Sequence, residues 1–362
     1  MRVLIAPDSF GETLTAVQAA EAMAAGWSAA RPSDTVVLAP QSDGGPGFAD
    51  VISATAGGMR SVRVSGPLGQ AVEARWVLAD DAAYIESAQA VGLGLLAGPP
   101  TRTTSLEAHS RGVGELIAAA VDAGARRIVV GLGGSCCTDG GRGMIAALGG
   151  PDEAARRLRD VELVAATDVE HPLLGEHGAA HVFGPQKGAD ASAIELLEQR
   201  NAVWAGELAR ACGRDVADLP GAGAAGGLGA ALLALGAARE SGAEVVAACT
   251  GQADQLADSD VVLTGEGRFD HQSLRGKLVT TLAAAARRGG VPTVVLAGQV
   301  AVDPDTAAEA GIVAAFSVAE FAGSVERAMT EAASRLEALT SCVADRWRGP
   351  SSAVWIAPIH EE

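Results

Sequence analysis

"RSVRVSGPLGQAVEARWVLADDAAYIE" (residues 60–86) breaks the rhythm of the chain around it. Apolar and polar residues alternate on both sides of the Gly66-Pro67 turn, a period of two that belongs to strands joined by a tight connection with no intervening helix. Elsewhere, short β-branched runs alternate with Ala-rich helical stretches: "RVLIAP" (2–7), "TVVLAP" (35–40), "RIVVGL" (127–132), "DVVLTG" (260–265) and "PTVVLAG" (292–298). That alternation predicts an α/β protein with a largely parallel sheet. Two runs precede the break, and simple strand and helix units resume near residue 260. The expected architecture is therefore one open parallel sheet, interrupted after its second strand by a second α/β domain. The expected boundaries are 1–60 with 246–362 for the outer domain and 61–245 for the insert, which carries the Gly-rich loops.

Composition narrows the function. A chain of 362 residues, 48% hydrophobic, can bury a substantial core. Its formal charge of −17 repels a nucleic-acid backbone, and 3% aromatics leave few platforms for stacking bases, so no nucleic-acid partner is expected. The five cysteines show no Cys-x-x-Cys spacing and are odd in number, which fits a reducing cytoplasm. The first apolar run ends at Asp8, too soon for a signal-peptide core. The uncharged stretch 221–238 is Gly-Ala-rich in its first half and reads as a loop entering a buried helix, so no membrane role is expected. A homo-oligomer is compatible with all of this.

Acids recur just beyond the expected strands: Asp8, Asp43 in "SDGGPG", Asp168 and Glu266 in "TGEGRFD". Ligands of open α/β sheets bind at those carboxyl ends, although an acid there also caps a helix. Asp43, Asp139 and Glu266 stand beside glycines that let backbone N–H groups approach an anion, which suggests Mg²⁺ between carboxylate and phosphate. The chain has only two lysines, Lys187 in "GPQKGA" and Lys277 in "LRGKLV", both in Gly-flanked loops. A compact ammonium can follow a moving phosphoryl group. "GAGAAG" (221–226) spells a dinucleotide fingerprint, but Leu219-Pro220 stands where a strand is needed. No G-x-x-x-x-G-K-[ST] loop and no G-x-S-x-G elbow occurs. "GLGGSCCTDGG" (131–141), preceded by a strand, reads as a phosphate and magnesium loop, with thiols that a helix N-terminus could activate.

In order, "APDSF", "SDGGPG", "GLGGSCCTDGG", "TDVEHPL", "FGPQKGA", "PGAGAAGGLGA" and "TGEGRFDHQSLRGK" resemble the bacterial glycerate kinase family through almost the whole chain. The resemblance implies a flavodoxin-like α/β domain with a second α/β domain inserted, and transfer of the ATP γ-phosphate to glycerate, usually giving 2-phosphoglycerate. Five positions depart from the family pattern: Gly11 replaces a usual lysine, Cys136-Cys137-Thr138 replace Ala-Thr-Asn, and His171 replaces Asn. They leave open a kinase for another small hydroxy acid, or a binding homologue without turnover.

Phosphoryl transfer asks mainly for positioning and charge neutralisation, which sets the expected roles. Asp168 is the expected base, with Lys187 and Asp43 completing the catalytic set. Gly133, Gly134, Ser135, Asp139, Glu266 and Lys277 are expected to hold ATP, and Asp139 or Asp43 to hold Mg²⁺. Asp8, Ser9, Arg111, Arg268 and Asp270 are expected to hold the small-molecule substrate, an arginine suiting its carboxylate.

Overall fold

A computed structural model describes residues 1–274 and 278–349. The chain falls into two compact units, one made of residues 1–42 and the chain from Val246 onward, the other of Asp43–Val245.

The strands of the first unit are β1 (Arg2–Ile5) and β2 (Thr35–Leu38) before the insert. Within the insert run β3 (Met59–Ser65), β4 (Ala71–Ala79), β5 (Ala82–Glu86), β6 (Arg127–Gly131), β7 (Glu162–Ala166) and β8 (Ala238–Glu240). The first unit then continues with β9 (Val261–Thr264), β10 (Arg268–Phe269), β11 (Thr293–Ala297), β12 (Gln299–Val300) and β13 (Ile312–Ser317).

In the first unit a five-stranded sheet runs β13-β11-β9-β1-β2, parallel throughout. Counting this unit's main strands alone, the order is the flavodoxin-like 2-1-3-4-5, whose direction reverses between β1 and β9. Both faces are covered, which is why the strands read as unbroken apolar runs. Val3 and Ile5 pack with Met23, Trp27 and Leu336, while Leu4 and Ala6 pack with Leu256 and Leu282 on the opposite face. The helix Ala16–Ala30 starts at a capping box, Thr15 accepting from the Gln18 amide and Gln18 from the Thr15 amide. It packs on the helix Ala332–Arg346 so closely that a Cβ on Gly26 would stand 2.1 Å from the Glu337 carbonyl oxygen.

The second unit is a six-stranded sheet in the order β3 to β8. β3, β4 and β5 are antiparallel neighbours, as the period-two stretch predicted, and β5 to β8 run parallel. The register places Glu86, Gly131, Ala166 and Glu240 in one row at the carboxyl ends of the four parallel strands. The expected first boundary at residue 60 shifts to 42. The helix Phe48–Ala56 packs on β4 and β5, and the amides of Gly47 and Ala49 donate to Glu86, so this segment is part of the insert. The 221–238 stretch contains a helix, Ala224–Ala234, and among the described residues no helix is long and apolar enough to cross a membrane.

Candidate functional site

In the second unit, loops converge beyond the row that ends β5 to β8. "SDGGPG" lies directly on "GLGGS": a Cβ on Gly133 would stand 2.3 Å from the Gly45 Cα, and one on Gly44 2.9 Å from the Ala166 carbonyl oxygen. Only glycine permits backbones to stack at this distance. Glu86 ties the arrangement to the sheet. Its buried carboxylate accepts from Gly47 N at 3.0 Å and Ala49 N at 3.2 Å, and its pKa is raised, burial outweighing those donors.

Asp168 and Asp43 stand together at this edge, both on exposed residues. Partial burial raises the pKa of Asp168, the charges of Asp43 and Glu244 push it the same way, and the Ser241 hydroxyl and Arg239 oppose them. Asp43 Oδ1 accepts from Gly45 N at 3.0 Å.

Asp139 has a different position from the one expected. Its Oδ2 accepts from Ser110 N at 2.8 Å, Ser110 Oγ at 2.9 Å and Gly143 N at 2.9 Å, and its Oδ1 from Gly141 N at 3.2 Å. A carboxylate offers about four acceptor positions, so this one is committed to bracing two loops and fits a direct Mg²⁺ ligand poorly. Among the described residues no group of three or more His, Cys, Asp or Glu converges as a metal site. Mg²⁺ takes one or two carboxylates and completes its shell with phosphates and water. Asp43 is the carboxylate here that fits it.

Lys187 is bound to the same loop. It is 3% exposed, and its Nζ donates to the Cys137 carbonyl at 2.7 Å and to Ser135 Oγ at 3.0 Å. The ammonium is buried against the glycine loop and holds it. Burial lowers its pKa, with the Cys137, Cys136 and Asp139 charges opposing. The neighbouring thiols are not activated: burial pushes Cys136 up to about 11 and Cys137 well above the usual range. Thr138 is 1% exposed, and among the described residues its hydroxyl finds no hydrogen-bond partner. "GAGAAGG" braces the same loop. Ala225, Gly226 and Gly227 are all left-handed, and a Cβ on Gly226 would stand 2.0 Å from the Cys137 carbonyl oxygen.

Arg111 pairs with Glu115 at 2.9 Å, and Glu115 also accepts from Ser65 N and Oγ. It lines a pocket of about 560 Å³ with His109, Arg142 and Arg200 that contains neither Asp43, Asp168 nor Lys187. The cation whose charge bears on Asp168 is Arg239, which the sequence reading did not single out.

In the first unit, "APDSF" follows β1 and "TGEGRFD" follows β9, at the reversal of strand order. The Asp8 amide donates to the Gly265 carbonyl at 2.8 Å, and Asp8 Oδ1 accepts from Ser9 N at 2.6 Å. The Glu266 carbonyl accepts from Gly298 N at 3.0 Å. Arg268 reaches Asp270 at 3.2 Å and Gln299 at 3.2 Å. The pKa of Asp270 is lowered, first by the Gln272 amide. Ser9, Glu266 and Arg268 line a pocket of about 520 Å³. Lys277 lies outside the described residues.

Sequence reasoning missed Glu86, Ser110, Ser241 and Arg239. Glu86 carried one usable signal, an acid closing an apolar alternating run at a strand end.

The chain matches the Glycerate kinase family over residues 3–154 and 151–348. It is 58% identical to an uncharacterised protein of Mycobacterium bovis over 355 residues, 97% of this chain and 93% of that one. It is 39% identical to the glycerate 2-kinase of Escherichia coli over 356 residues, 91% of this chain and 93% of that one. The crystal structure of a Salmonella typhimurium LT2 protein assigned as glycerate kinase 2 superposes with a TM-score of 0.80 at 36% identity, covering 95% of this chain and 97% of that one. By sequence and by fold, the chain belongs to the glycerate kinase family.

Proposed function

We propose that the protein transfers the γ-phosphoryl group of ATP to glycerate and releases 2-phosphoglycerate. The observation that carries this, in a chain of this family, is the Asp168 and Asp43 pair at the carboxyl end of the parallel strands. Asp168 is the base: its raised pKa strengthens its pull on the proton of the attacking hydroxyl. Backbone amides of Gly133 to Ser135 receive phosphate oxygens, and Lys187 positions that loop from below. Asp43 would hold Mg²⁺, which supplies charge neutralisation on the transferred group when bound. Arg239, exposed beside Asp168, takes the place expected of Arg111 as the cation for the acid's carboxylate.

Purified protein with D-glycerate, ATP and Mg²⁺ is expected to release ADP and to give the phosphorus NMR signal of 2-phosphoglycerate. Asp168→Asn is expected to lower kcat by about 10²–10⁴-fold with the fold retained. Release of 3-phosphoglycerate, a preference for tartronate, lactate or erythronate in parallel assays, or binding without ADP release would each replace this assignment.

A further inference from the structure

We infer that the 560 Å³ pocket of the second unit is a further ligand site, built for a small organic acid that carries two or more negative charges. The inference does not rest on the kinase reading, since neither Asp43 nor Asp168 lines this pocket.

Its buried side is the first argument. Thr138 and Asn201 both line the pocket, and each is 1% exposed. Among the described residues Thr138 Oγ1 and Asn201 Nδ2 have no hydrogen-bond partner. A buried polar group left unpaired is costly, and native folds keep few of them. The hydroxyl and the amide can both donate, so the group that completes them is one that accepts.

The walls make the same demand. The helix Ala191–Cys212 presents Leu197, Arg200, Asn201 and Trp204 at the i, i+3, i+4, i+7 spacing of one face. Arg142 opens the helix that follows the glycine loop, and its guanidinium carbon lies 5.6 Å from the centre of the Trp204 ring. That ring is itself fixed, its Nε1 donating to the Gly140 carbonyl at 2.9 Å. Arg200 spends one nitrogen on the Leu106 carbonyl at 3.0 Å and keeps the rest of its fork. The chain holds 44 acids against 27 lysines and arginines, yet among the described residues neither Arg142 nor Arg200 is paired with a carboxylate. The acids at the pocket do not cancel them. Asp139 is committed to Ser110, Gly141 and Gly143, Glu107 is exposed, and Arg111, held by Glu115, adds a third guanidinium.

Donors on every side select an oxyanion, and guanidinium forks match carboxylate and phosphoryl oxygens in pairs. The volume lies within the usual range of about 300–1,000 Å³ for small-molecule sites and leaves room beyond one oxyanion for a carbon skeleton, bordered by Leu106, Ala146 and Leu197.

The full-length protein, in buffer free of other oxyanions, should be titrated by calorimetry with 3-phosphoglycerate, with citrate and with inorganic phosphate in separate runs. The wild type is expected to bind at least one of the two acids saturably and more tightly than phosphate. Which acid binds distinguishes a phosphorylated ligand from a polycarboxylic one. Arg142→Gln and Arg200→Gln, both at exposed residues, should each weaken that binding tenfold or more. Thr138→Val should weaken it too without lowering the thermal midpoint, because it removes a hydroxyl that has no partner in the free protein. Arg156→Gln takes an exposed charge from elsewhere in the same unit and should bind as the wild type does. A wild type that binds neither acid overturns the inference, as does affinity unchanged in any of the three pocket variants, which would put the bound acid elsewhere. Phosphate bound as tightly as the acids overturns it as well, since the pocket would then hold a bare ion. The readout is binding alone, so success or failure of the glycerate assay decides the proposed activity and leaves this site to the titrations.

Discussion

Lys187 is a buried cation whose two observed hydrogen bonds go to a neutral hydroxyl and a backbone carbonyl. With its pKa below 10.5 in the folded chain, the unfolded chain binds the proton more tightly. The stability tied to this group is therefore full above pH 10.5 and falls as pH drops through the window down to the lowered folded pKa. Relative to Lys187→Met, the wild type should gain stability as pH rises toward 10.5, by about 1.4 kcal/mol for each tenfold loss of proton affinity on folding. Denaturant unfolding at a series of alkaline pH values checks this, and parallel curves for the two proteins would contradict it. The cost is borne for position, because the same ammonium fixes Ser135 and the carbonyl of Cys137 in the loop proposed to receive phosphate.

At the scale of elements, Glu86 decides how the 43–49 segment enters the second unit. Removing its carboxylate in Glu86→Ala leaves the amides of Gly47 and Ala49 without an acceptor, at about 1–3 kcal/mol. Glu86→Gln keeps an acceptor and should lose less in urea unfolding; equal losses would mean that the carboxylate anchors nothing. The elements themselves were legible to different degrees. The runs that became β1, β6, β9 and β11 announced themselves because their central residues are buried and apolar, and β2, at the sheet edge, kept a short β-branched run although it is half-exposed. β8, β10 and β12 span two or three residues and carry arginine, glutamate or glutamine, so no periodicity marks them. The acid and glycine motifs of the site could be read in order. What each acid binds could not, since Asp139 and Ser110 are 29 residues apart and meet only through tertiary packing.

At the scale of the whole molecule, a chain of formal charge −17 must receive two anions, ATP and glycerate, in the proposed reaction. Raising ionic strength from about 0.01 to 0.15 M shortens the screening length from roughly 30 to 8 Å, which damps this long-range repulsion more than a local ion pair. The kcat/KM for glycerate is expected to rise several-fold across that range in steady-state assays; a fall would mean that Arg239 and its neighbours outweigh the net charge. The two stacked loops carry a further consequence. Where Gly133 lies on Gly45 there is no side chain to trim, so a substitution in either strand of backbone displaces both. In a saturation mutagenesis screen for activity, Gly44 and Gly131, where a Cβ would stand 2.5 Å from the Gly44 carbonyl oxygen, would score as intolerant as any catalytic group while touching no substrate. Their intolerance would trace how the loops are assembled, and a search for chemistry by mutational sensitivity alone would be led one layer below the reacting surface.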